Sequence, residues 1–404
     1  MRWLVWFLGL TRWTARFGVW AFDDGLRNRA DVEGAYAASP EAEALHGSLR
    51  VADGHADSLM YERGNGFLAG SRRGHVDVAR LLKGRVGLQV LTVVTRASGG
   101  LAPPFGAQPD ALKIIAKGQG WPVETWESPR ARAMHQAAKW RRWTEDDRIV
   151  ALRERDDLEA FLQDGSGGRV ALLLGLEGCH AMEGLHAGSS AGEVAAEVSA
   201  FRREGFRLMG VHHQFDNVFG PSSEGDAVAA GRDGGLSPVG ELLVQELERQ
   251  EVLIDVAHSS PAVVDDILRL TKRPLVSSHT GVVAHTPNGR NLGDAHVRAI
   301  ARRGGVIGIG YWKEAVGDRS VKSIVDAMEV TAGLLRGEEG VDDPYDHIGI
   351  GSDFDGAVNT GFNADGHVLV TDELLRRGHD AGVIRRVMGA NLVRVVKAGL
   401  PGRG

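Results

Sequence analysis

The chain has 404 residues and a formal net charge of −6, with 43% hydrophobic and 25% charged residues, which is the composition of a folded globular protein. Its length suits either two or three domains of average size or one α/β barrel with insertions. The sequence contains no run of basic residues and a single cysteine, so it gives no support to a nucleic-acid partner and excludes both an internal disulfide and a cysteine-rich metal site.

The first 22 residues are apolar and rich in tryptophan, and we treat residues 1–30 as a segment separate from the rest of the chain. Its uninterrupted apolar run, Trp3–Leu10, is short, and Arg12 and Arg16 follow it on one helical face. An arginine at the bilayer centre costs about 2.5–3.5 kcal/mol and each leucine or phenylalanine returns only about 0.3–0.6 kcal/mol, so a membrane span is not expected. Two interpretations stay open: a helix lying at a membrane surface, or an amphipathic helix that is buried or packed against a partner. The expected location is accordingly either membrane-associated or cytoplasmic.

Residues 31–404 predict a single α/β domain. Eight short and nearly continuous apolar runs are typical of parallel strands buried on both faces. These runs are Leu49–His55, Val86–Val94, Arg169–Glu177, Arg207–His213, Val252–His258, Pro274–His279, Gly305–Trp312 and His347–Asp353. Helical patterns separate most of them, at Ala191–Gly205, Val239–Gln250, Ser260–Leu270, Asp294–Arg303 and Val321–Arg336. The alternation predicts a (β/α)₈ TIM barrel; the alternative, a doubly wound sheet, is weakened because no G-x-G-x-x-G follows a strand.

Three stretches depart from this simple alternation. Residues 96–168 are too long for a barrel loop and contain helix-like segments, so we predict a helical insertion after strand two. Residues 217–238 are rich in Gly, Ser and Asp, which is typical of a binding loop, a lid or a disordered segment. Residues 371–404 predict terminal helices.

Polar, chemically competent residues end six of the eight predicted strands. They are His55 and Asp57, Glu177, His212 and His213 with Asp216 and Asn217, His258, His279, and Asp353 with Asp355. Each one alone is more often a packed, hydrogen-bonded residue than a ligand. In a barrel, however, these strand ends converge on one mouth, and so many uncompensated polar groups would be costly there without a cation. The pattern therefore predicts a metal site.

The types of ligand narrow the choice of metal. Imidazole and carboxylate without thiolate suit Zn²⁺, with Mn²⁺, Co²⁺ and Fe as alternatives. Three histidines and two or three carboxylates are too many for one tetrahedral ion and suit two ions about 3.5–4 Å apart. Glu177 is the natural bridge, since it offers two oxygens and lies in the chain between the His55–Asp57 pair and the later histidines.

These motifs resemble, in order and spacing, those of a known family. The segments are VADGHADSL, GLEGCHAM, GVHHQFDN, LIDVAHSSP, PLVSSHTG, GRNLGD and GSDFDG, between about residues 45 and 398. The chain is similar to the membrane (renal) dipeptidase family, zinc peptidase family M19 of the amidohydrolase-like barrels. The resemblance implies a binuclear zinc dipeptidase that cleaves dipeptides with a free C-terminal carboxylate through a hydroxide bridging the metals, and it implies a homodimer.

The resemblance also implies a role for each site residue. His55 and Asp57 would bind one zinc ion, His258 and His279 the other, and Glu177 both. The remaining roles fall to His213, which would polarise the substrate carbonyl; Arg290, which would grip the terminal carboxylate; and Asp353, which would carry the proton from water to the leaving amine.

One departure and two alternative functions remain. His212 precedes His213 where relatives often have threonine; we assign the carbonyl-binding role to His213, because Asp216 and Asn217 then fall at the familiar spacing, and expect His212 to pack inside. Cys179 is expected to be a small buried side chain.

Because barrels change substrate through their loops, another metal hydrolase, such as a deacylase, lactonase or phosphotriesterase, is the first alternative function, and a non-catalytic barrel is the second.

Overall fold

The computed structural model describes residues 28–32, 34, 36–98, 110–165 and 167–402. The tryptophan-rich segment of residues 1–22, with its expected membrane-surface contact, lies outside these residues. Within the described ranges, no helix has both the length and the apolar character that a bilayer-spanning helix requires.

In the described residues, nine parallel strands form the sheet, and eight of them close into a barrel. The strands are β1 Val51–Ala56, β2 Val86–Val94, β3 Ile149–Leu152, β4 Val170–Glu177, β5 Phe206–Gly210, β6 Leu253–Asp255, β7 Val276–Thr280, β8 Val306–Ile309 and β9 Ile348–Ile350. The sheet order is β2-β1-β9-β8-β7-β6-β5-β4-β3, and a pairing of β2 with β4 closes the ring. All eight predicted strands are present, so the (β/α)₈ barrel is confirmed.

The ninth strand, β3, is the element that we did not predict. It lies inside the insertion that follows β2 and pairs with the first half of β4, from Ile149 beside Val170 to Leu152 beside Leu173. Residues 174–177, the second half of β4, pair with β5. Only the two end residues of β3 are buried. A four-residue, half-buried strand between charged residues lacks the long apolar run that revealed the other eight.

Sixteen helices surround the barrel or extend from it in the described residues. They are α1 Pro40–Gly47, α2 Gly66–Ala69, α3 Val78–Lys83, α4 Ala111–Gln119, α5 Pro129–Trp143, α6 Arg155–Gln163, α7 Ala191–Glu204, α8 Asp226–Ala229, α9 Pro238–Arg249, α10 Pro261–Leu270, α11 Asp294–Arg302, α12 Lys313–Val316, α13 Val321–Leu335, α14 Val368–Arg376, α15 Ala381–Arg385 and α16 Asn391–Gly399. Helices α4, α5 and α6 lie in the insertion, as predicted. Many starts are fixed by side chains that cap the first turn; Ser190, for example, forms a capping box with Glu193.

The two ends of the barrel differ in chemistry. At the amino ends of the strands, α16 packs Leu392 and Val395 into an apolar cluster with Leu253, Val276 and Val306, which closes this end of the barrel. The carboxyl ends of the strands carry the polar residues. The fold therefore leaves one end of the barrel for a site.

Glycines let the barrel strands approach β7 closely. A Cβ atom at Gly54 of β1 would lie 2.7 Å from the carbonyl oxygen of Ser278, and a Cβ at Gly308 or Gly351 would lie still closer. Any larger residue at these positions would push the strands apart. The glycines thus set the narrow spacing around Ser278 from which the site is built.

Candidate metal centre

The barrel brings the five predicted metal ligands together, and Glu177 lies at their centre. Its Oε1 atom is 3.1 Å from Nε2 of His258, 3.4 Å from Nε2 of His279 and 3.5 Å from Nε2 of His55. Asp57 Oδ1 lies 3.4 Å from the same nitrogen of His55. All five side chains are buried. Side chains separated by more than 200 positions in the sequence therefore form one compact cluster.

The ligand atoms fall into groups of three that could each hold a metal ion. His55, Asp57 and Glu177 form one group, and Glu177, His258 and His279 form another. A third group joins His55 and His279 to Asp353. Because Glu177 belongs to both of the first two groups, one carboxylate is placed to bridge two ions.

The contacts within the cluster fit a pair of cations. Nε2 of His258 and Nε2 of His279 face each other at 3.1 Å, and Glu177 Oε2 is buried without a hydrogen-bond partner among the described residues. Nitrogen lone pairs and a carboxylate converging in a buried space are costly unless a positive charge lies between them. The donor set of imidazole and carboxylate suits zinc.

The far nitrogen of each imidazole is held by a polar side chain. Nδ1 of His55 and Nδ1 of His279 lie 3.1 Å and 2.9 Å from the same hydroxyl, Ser278 Oγ. The Ser278 side chain is in turn a hydrogen-bond partner of the buried carboxyl of Asp255. Nδ1 of His258 lies 2.6 Å from Glu224 Oε2. A proton on each Nδ1 leaves Nε2 as a lone-pair donor directed at the centre.

The sequence analysis did not predict the residues that support the ligands, among them Thr92, Ser278 and Glu224. Thr92, in β2, donates a 2.6 Å hydrogen bond to Asp57 Oδ1. Ser278 and Glu224 have the roles described above. A threonine inside an apolar strand and a serine directly before His279 were visible signals, whereas Glu224 lies in a polar loop that offers no periodicity to read.

Backbone strain marks two of the site residues. His258 has a φ of 63° and Asp353 a φ of 60°, in the left-handed region that non-glycine residues rarely adopt. Such conformations cost of order 1–3 kcal/mol and persist only where the surroundings enforce them. The strand ends therefore aim these two side chains at the centre against local preference.

Asp355 ties together the two loops that carry Asp57 and Asp353. It accepts hydrogen bonds from Ser58 Oγ at 2.6 Å, from Arg63 Nη1 at 2.8 Å and from the backbone nitrogen of His75 at 2.7 Å. Ser58 follows Asp57 directly, and Asp353 precedes Asp355 by two residues. Asp355 thus holds the relative position of the two carboxylates without entering the cluster.

Burial and charge shift the pKa values of the cluster in different directions. Burial, together with the positive charge of nearby Arg290, lowers the pKa of both His258 and His279 well below the ordinary value. Burial also opposes the charged form of His55, but neighbouring carboxylates, Glu177 foremost, outweigh it and raise its pKa to about 10. The neutral imidazoles of His258 and His279, beside carboxylates that attract positive charge, suit a divalent cation, which would displace the proton of His55 on binding.

Burial likewise raises the pKa of Asp353 well above its usual range, and the neighbouring carboxylates of Asp57 and Glu177 add to the effect. Its Oδ1 atom lies 4.0 Å from Nε2 of His55. A carboxyl group with a raised pKa, at the edge of a ligand cluster, is suited to accept and release a proton.

The two predicted substrate-binding residues face the same cluster. His213 places Nε2 3.6 Å from Glu177 Oε2, while its Nδ1 lies 2.7 Å from the carbonyl oxygen of Arg96. Arg290 Nη2 donates a 2.9 Å hydrogen bond to the carbonyl oxygen of His279 and lies 3.1 Å from Nε2 of His258. Arg290 is therefore not a solvated loop charge.

Two neighbouring polar residues are kept out of the cluster. His212 is fully buried, and its Nδ1 lies 3.3 Å from Ser259 Oγ, in packing below the mouth. Cys179 is buried, and burial raises the pKa of its thiol. Neither side chain is placed to act as a ligand or nucleophile.

Comparison with known proteins adds to this geometry. The sequence model of the membrane dipeptidases, peptidase family M19, matches residues 39–399. Dipeptidase aclJ of Aspergillus oryzae is 28% identical over 57% of this chain and 52% of its own length. Dipeptidase tcpJ of Claviceps purpurea is 24% identical over 87% of this chain and 77% of its own length. The chain thus spans only about half of the first of these relatives.

Solved structures show the same fold. A metallopeptidase of Rhodobacter sphaeroides, liganded with a phosphinate mimic of the dipeptide L-Ala-D-Ala, superposes with a TM-score of 0.68 at 22% identity, over 87% of this chain and 99% of its own. The probable dipeptidase PvdM of Pseudomonas aeruginosa gives a TM-score of 0.70 at 19% identity, over 89% of this chain and 97% of its own. At these identities the structural likeness concerns the barrel alone.

Proposed function

Because the chain belongs to the membrane dipeptidase family, peptidase family M19, we propose that it is a binuclear zinc dipeptidase acting on dipeptides with a free C-terminal carboxylate. The observation that carries the proposal is the position of Glu177, whose carboxylate is shared by two groups of potential ligand atoms. This shared carboxylate is a feature of the chain's own structure and is independent of the family match.

We assign the metal ligands by these groups. His55 and Asp57 would hold one zinc ion, His258 and His279 the other, and Glu177 both. When bound, the two ions would supply the nucleophile by lowering the pKa of a water molecule shared between them. The remaining chemistry belongs to side chains of the protein.

His213 is proposed to stabilise the negative charge that develops on the substrate carbonyl oxygen. Its Nδ1 faces the carbonyl oxygen of Arg96 and must donate to it, so Nε2 can donate to substrate only when both ring nitrogens are protonated. Nε2 points into the centre, 3.6 Å from the carboxylate of Glu177. A preorganised donor of this kind is worth about 10²–10³-fold in rate.

Asp353 is proposed to move the proton. Its raised pKa allows the carboxylate to accept a proton from the attacking water and to hold that proton until the amine leaves. The left-handed backbone at Asp353 and the contacts of Asp355 fix the position of this carboxyl group. The proton thus passes through one residue in both directions.

Arg290 is proposed to bind the terminal carboxylate of the substrate. Its guanidinium lies at the edge of the cluster, with Cζ 5.8 Å from the centre of the Trp312 ring and Nη2 donating to the carbonyl oxygen of His279. Two parallel hydrogen bonds from an arginine to a carboxylate give both affinity and orientation. This contact would favour substrates that end one residue beyond the cleaved bond.

A panel of dipeptides tests the proposal. Free dipeptides with L or D residues at the carboxyl end, their C-terminal amides, N-acyl amino acids and lactones are assayed with zinc and after treatment with a chelator. We expect cleavage of the free dipeptides, its loss with the chelator and its return with zinc. Preference for N-acyl amino acids or lactones would replace the proposal with a deacylase or lactonase.

Two further expectations remain proposals. Residues 1–22 would contact a membrane surface, so fractionation should place the full chain with membranes and a variant lacking these residues in solution. Recovery of the full chain in the soluble fraction would contradict this contact and leave a cytoplasmic location. By family resemblance we also propose a homodimer, which sedimentation at micromolar concentration would test.

A further inference from the structure

We propose that Glu224 is a positioning residue that couples the His258–His279 metal site to the carboxylate-binding Arg290. The inference extends the proposed function and rests on it for the identity of the metal. Glu224 lies in the loop between β5 and α9, outside the strand ends that carry every other residue of the cluster.

The contact of Glu224 with His258 differs from those of the other histidines. Its Oε2 atom lies 2.6 Å from Nδ1 of His258, whereas Nδ1 of His55 and of His279 face only the hydroxyl of Ser278. A carboxylate behind a ligating imidazole fixes the ring orientation and strengthens the nitrogen on the metal side. Among the three ligand histidines, His258 is therefore the one supported by a negative charge.

The same carboxylate oxygen also faces Arg290. Nε of Arg290 lies 3.8 Å from Glu224 Oε2, while Nη2 reaches the centre beside Nε2 of His258. One carboxylate thus contacts a metal-ligating ring on one side and a guanidinium on the other. A change at Glu224 must move both groups.

The loop holds Glu224 in place independently of its side chain. Asp216 accepts hydrogen bonds from the backbone nitrogens of Ser222 at 2.9 Å and Ala227 at 2.8 Å, one on each side of Glu224. The backbone nitrogen of Ser223 also donates a 2.8 Å hydrogen bond to the carbonyl oxygen of His258. The Glu224 side chain is about one-third exposed, at 34%, so its removal leaves no buried cavity and the loop should keep its structure.

Zinc binding measures the first half of the coupling without any substrate. Zinc affinities of the purified full chain are obtained by competition with a chromophoric chelator, for the wild type, Glu224→Ala, Glu224→Gln and the control Asp226→Asn, which removes an exposed charge from the same loop. We expect Glu224→Ala to lower the affinity for one of the two zinc ions by about 10–100-fold and to leave the affinity for the other within about threefold of the wild type. Glu224→Gln, which keeps an oxygen acceptor without the charge, should lose less, and Asp226→Asn should match the wild type.

Substrate selectivity measures the second half. The ratio of kcat/KM for a free dipeptide to that for its C-terminal amide should fall in Glu224→Ala at saturating zinc, because Arg290 loses the carboxylate beside its Nε. Equal zinc affinities in Glu224→Ala and the wild type, with matching thermal unfolding, would overturn the inference. A wild type that binds two zinc ions but cleaves no dipeptide would refute the proposed function, while the zinc titrations would still decide the role of Glu224.

Discussion

Ser278→Ala removes a hydroxyl that supports ligands from both proposed metal groups. Ser278 Oγ lies 3.1 Å from Nδ1 of His55 and 2.9 Å from Nδ1 of His279, and all three side chains are buried. Alanine at this position leaves the Nδ1 atoms of both imidazoles without this hydroxyl as their hydrogen-bond acceptor. Each buried N–H left unpaired costs about 1–3 kcal/mol.

Part of that cost falls on metal binding. Loss of a residue behind a metal-ligating histidine typically lowers metal affinity by about 10–100-fold, or about 1.4–2.7 kcal/mol. Because the hydroxyl is hydrogen-bonded to one ligand of each group, we expect the affinities for both zinc ions to fall by about this factor. This outcome differs from Glu224→Ala, in which the affinity for only one ion is expected to fall.

The assay is chelator competition for zinc, combined with urea unfolding of zinc-loaded protein. Ser277→Ala is the matched control, because Ser277 is the neighbouring serine of β7, equally buried, and its Oγ has no hydrogen-bond partner in the described part of the chain. Ser277→Ala should leave zinc affinity unchanged and cost no stability. Zinc affinities in Ser278→Ala equal to those of Ser277→Ala would refute the shared-hydroxyl argument.

Three other side chains give predictions that separate measurements can check. Arg290→Ala should lower kcat/KM for free dipeptides about 10–100-fold, the worth of one charge-assisted hydrogen bond, and leave C-terminal amides within about threefold; equal losses for both would contradict its role. Burial lowers the pKa of His46 to about 4, against about 6.5 in the unfolded chain, so its contribution to stability is complete above pH 6.5 and is lost as the pH falls toward 4. Between pH 7 and pH 4.5 the wild type should therefore lose about 2 kcal/mol more stability than His46→Gln in urea titrations, and parallel pH profiles would argue against this linkage. Cys179, buried and with a raised pKa, should resist a thiol reagent at pH 8 in the native protein and react fully in denaturant; rapid reaction of the native protein would show that the thiol is exposed.

The sequence predicted the barrel because its strands are buried on both faces. Residues 170–176 are apolar throughout, and such a run is typical of a parallel strand covered by helices on one face and by the barrel interior on the other. β3 was not predicted, because a four-residue edge strand with two half-buried positions does not require a continuous apolar run. The insertion was recognised by its length, which made it visible even without that strand.

The candidate ligands were predictable for a related reason. His55, Glu177 and His279 each end an apolar strand, and parallel topology brings those ends together whatever the lengths of the intervening helices. Ser278 and Glu224 could not be assigned in this way. Their roles depend on distances of about 3 Å between side chains from separate elements, and serine and glutamate occur at too many other positions to mark these two.

The spread of the proposed ligands over the barrel has a consequence for how the chain matures. The ligands come from β1 and the residue that follows it, from β4 and β7, and from the turn after β6, so only a fragment that spans residues 55–279 contains the complete set for both ions. Zinc would then bind best to chains in which β1, β4, β6 and β7 have already come together, and each occupied position would add about 2.7 kcal/mol to the stability of the folded form at a free zinc concentration one hundred times its Kd. Under zinc starvation, the same chains would open more often, and proteases would remove them first.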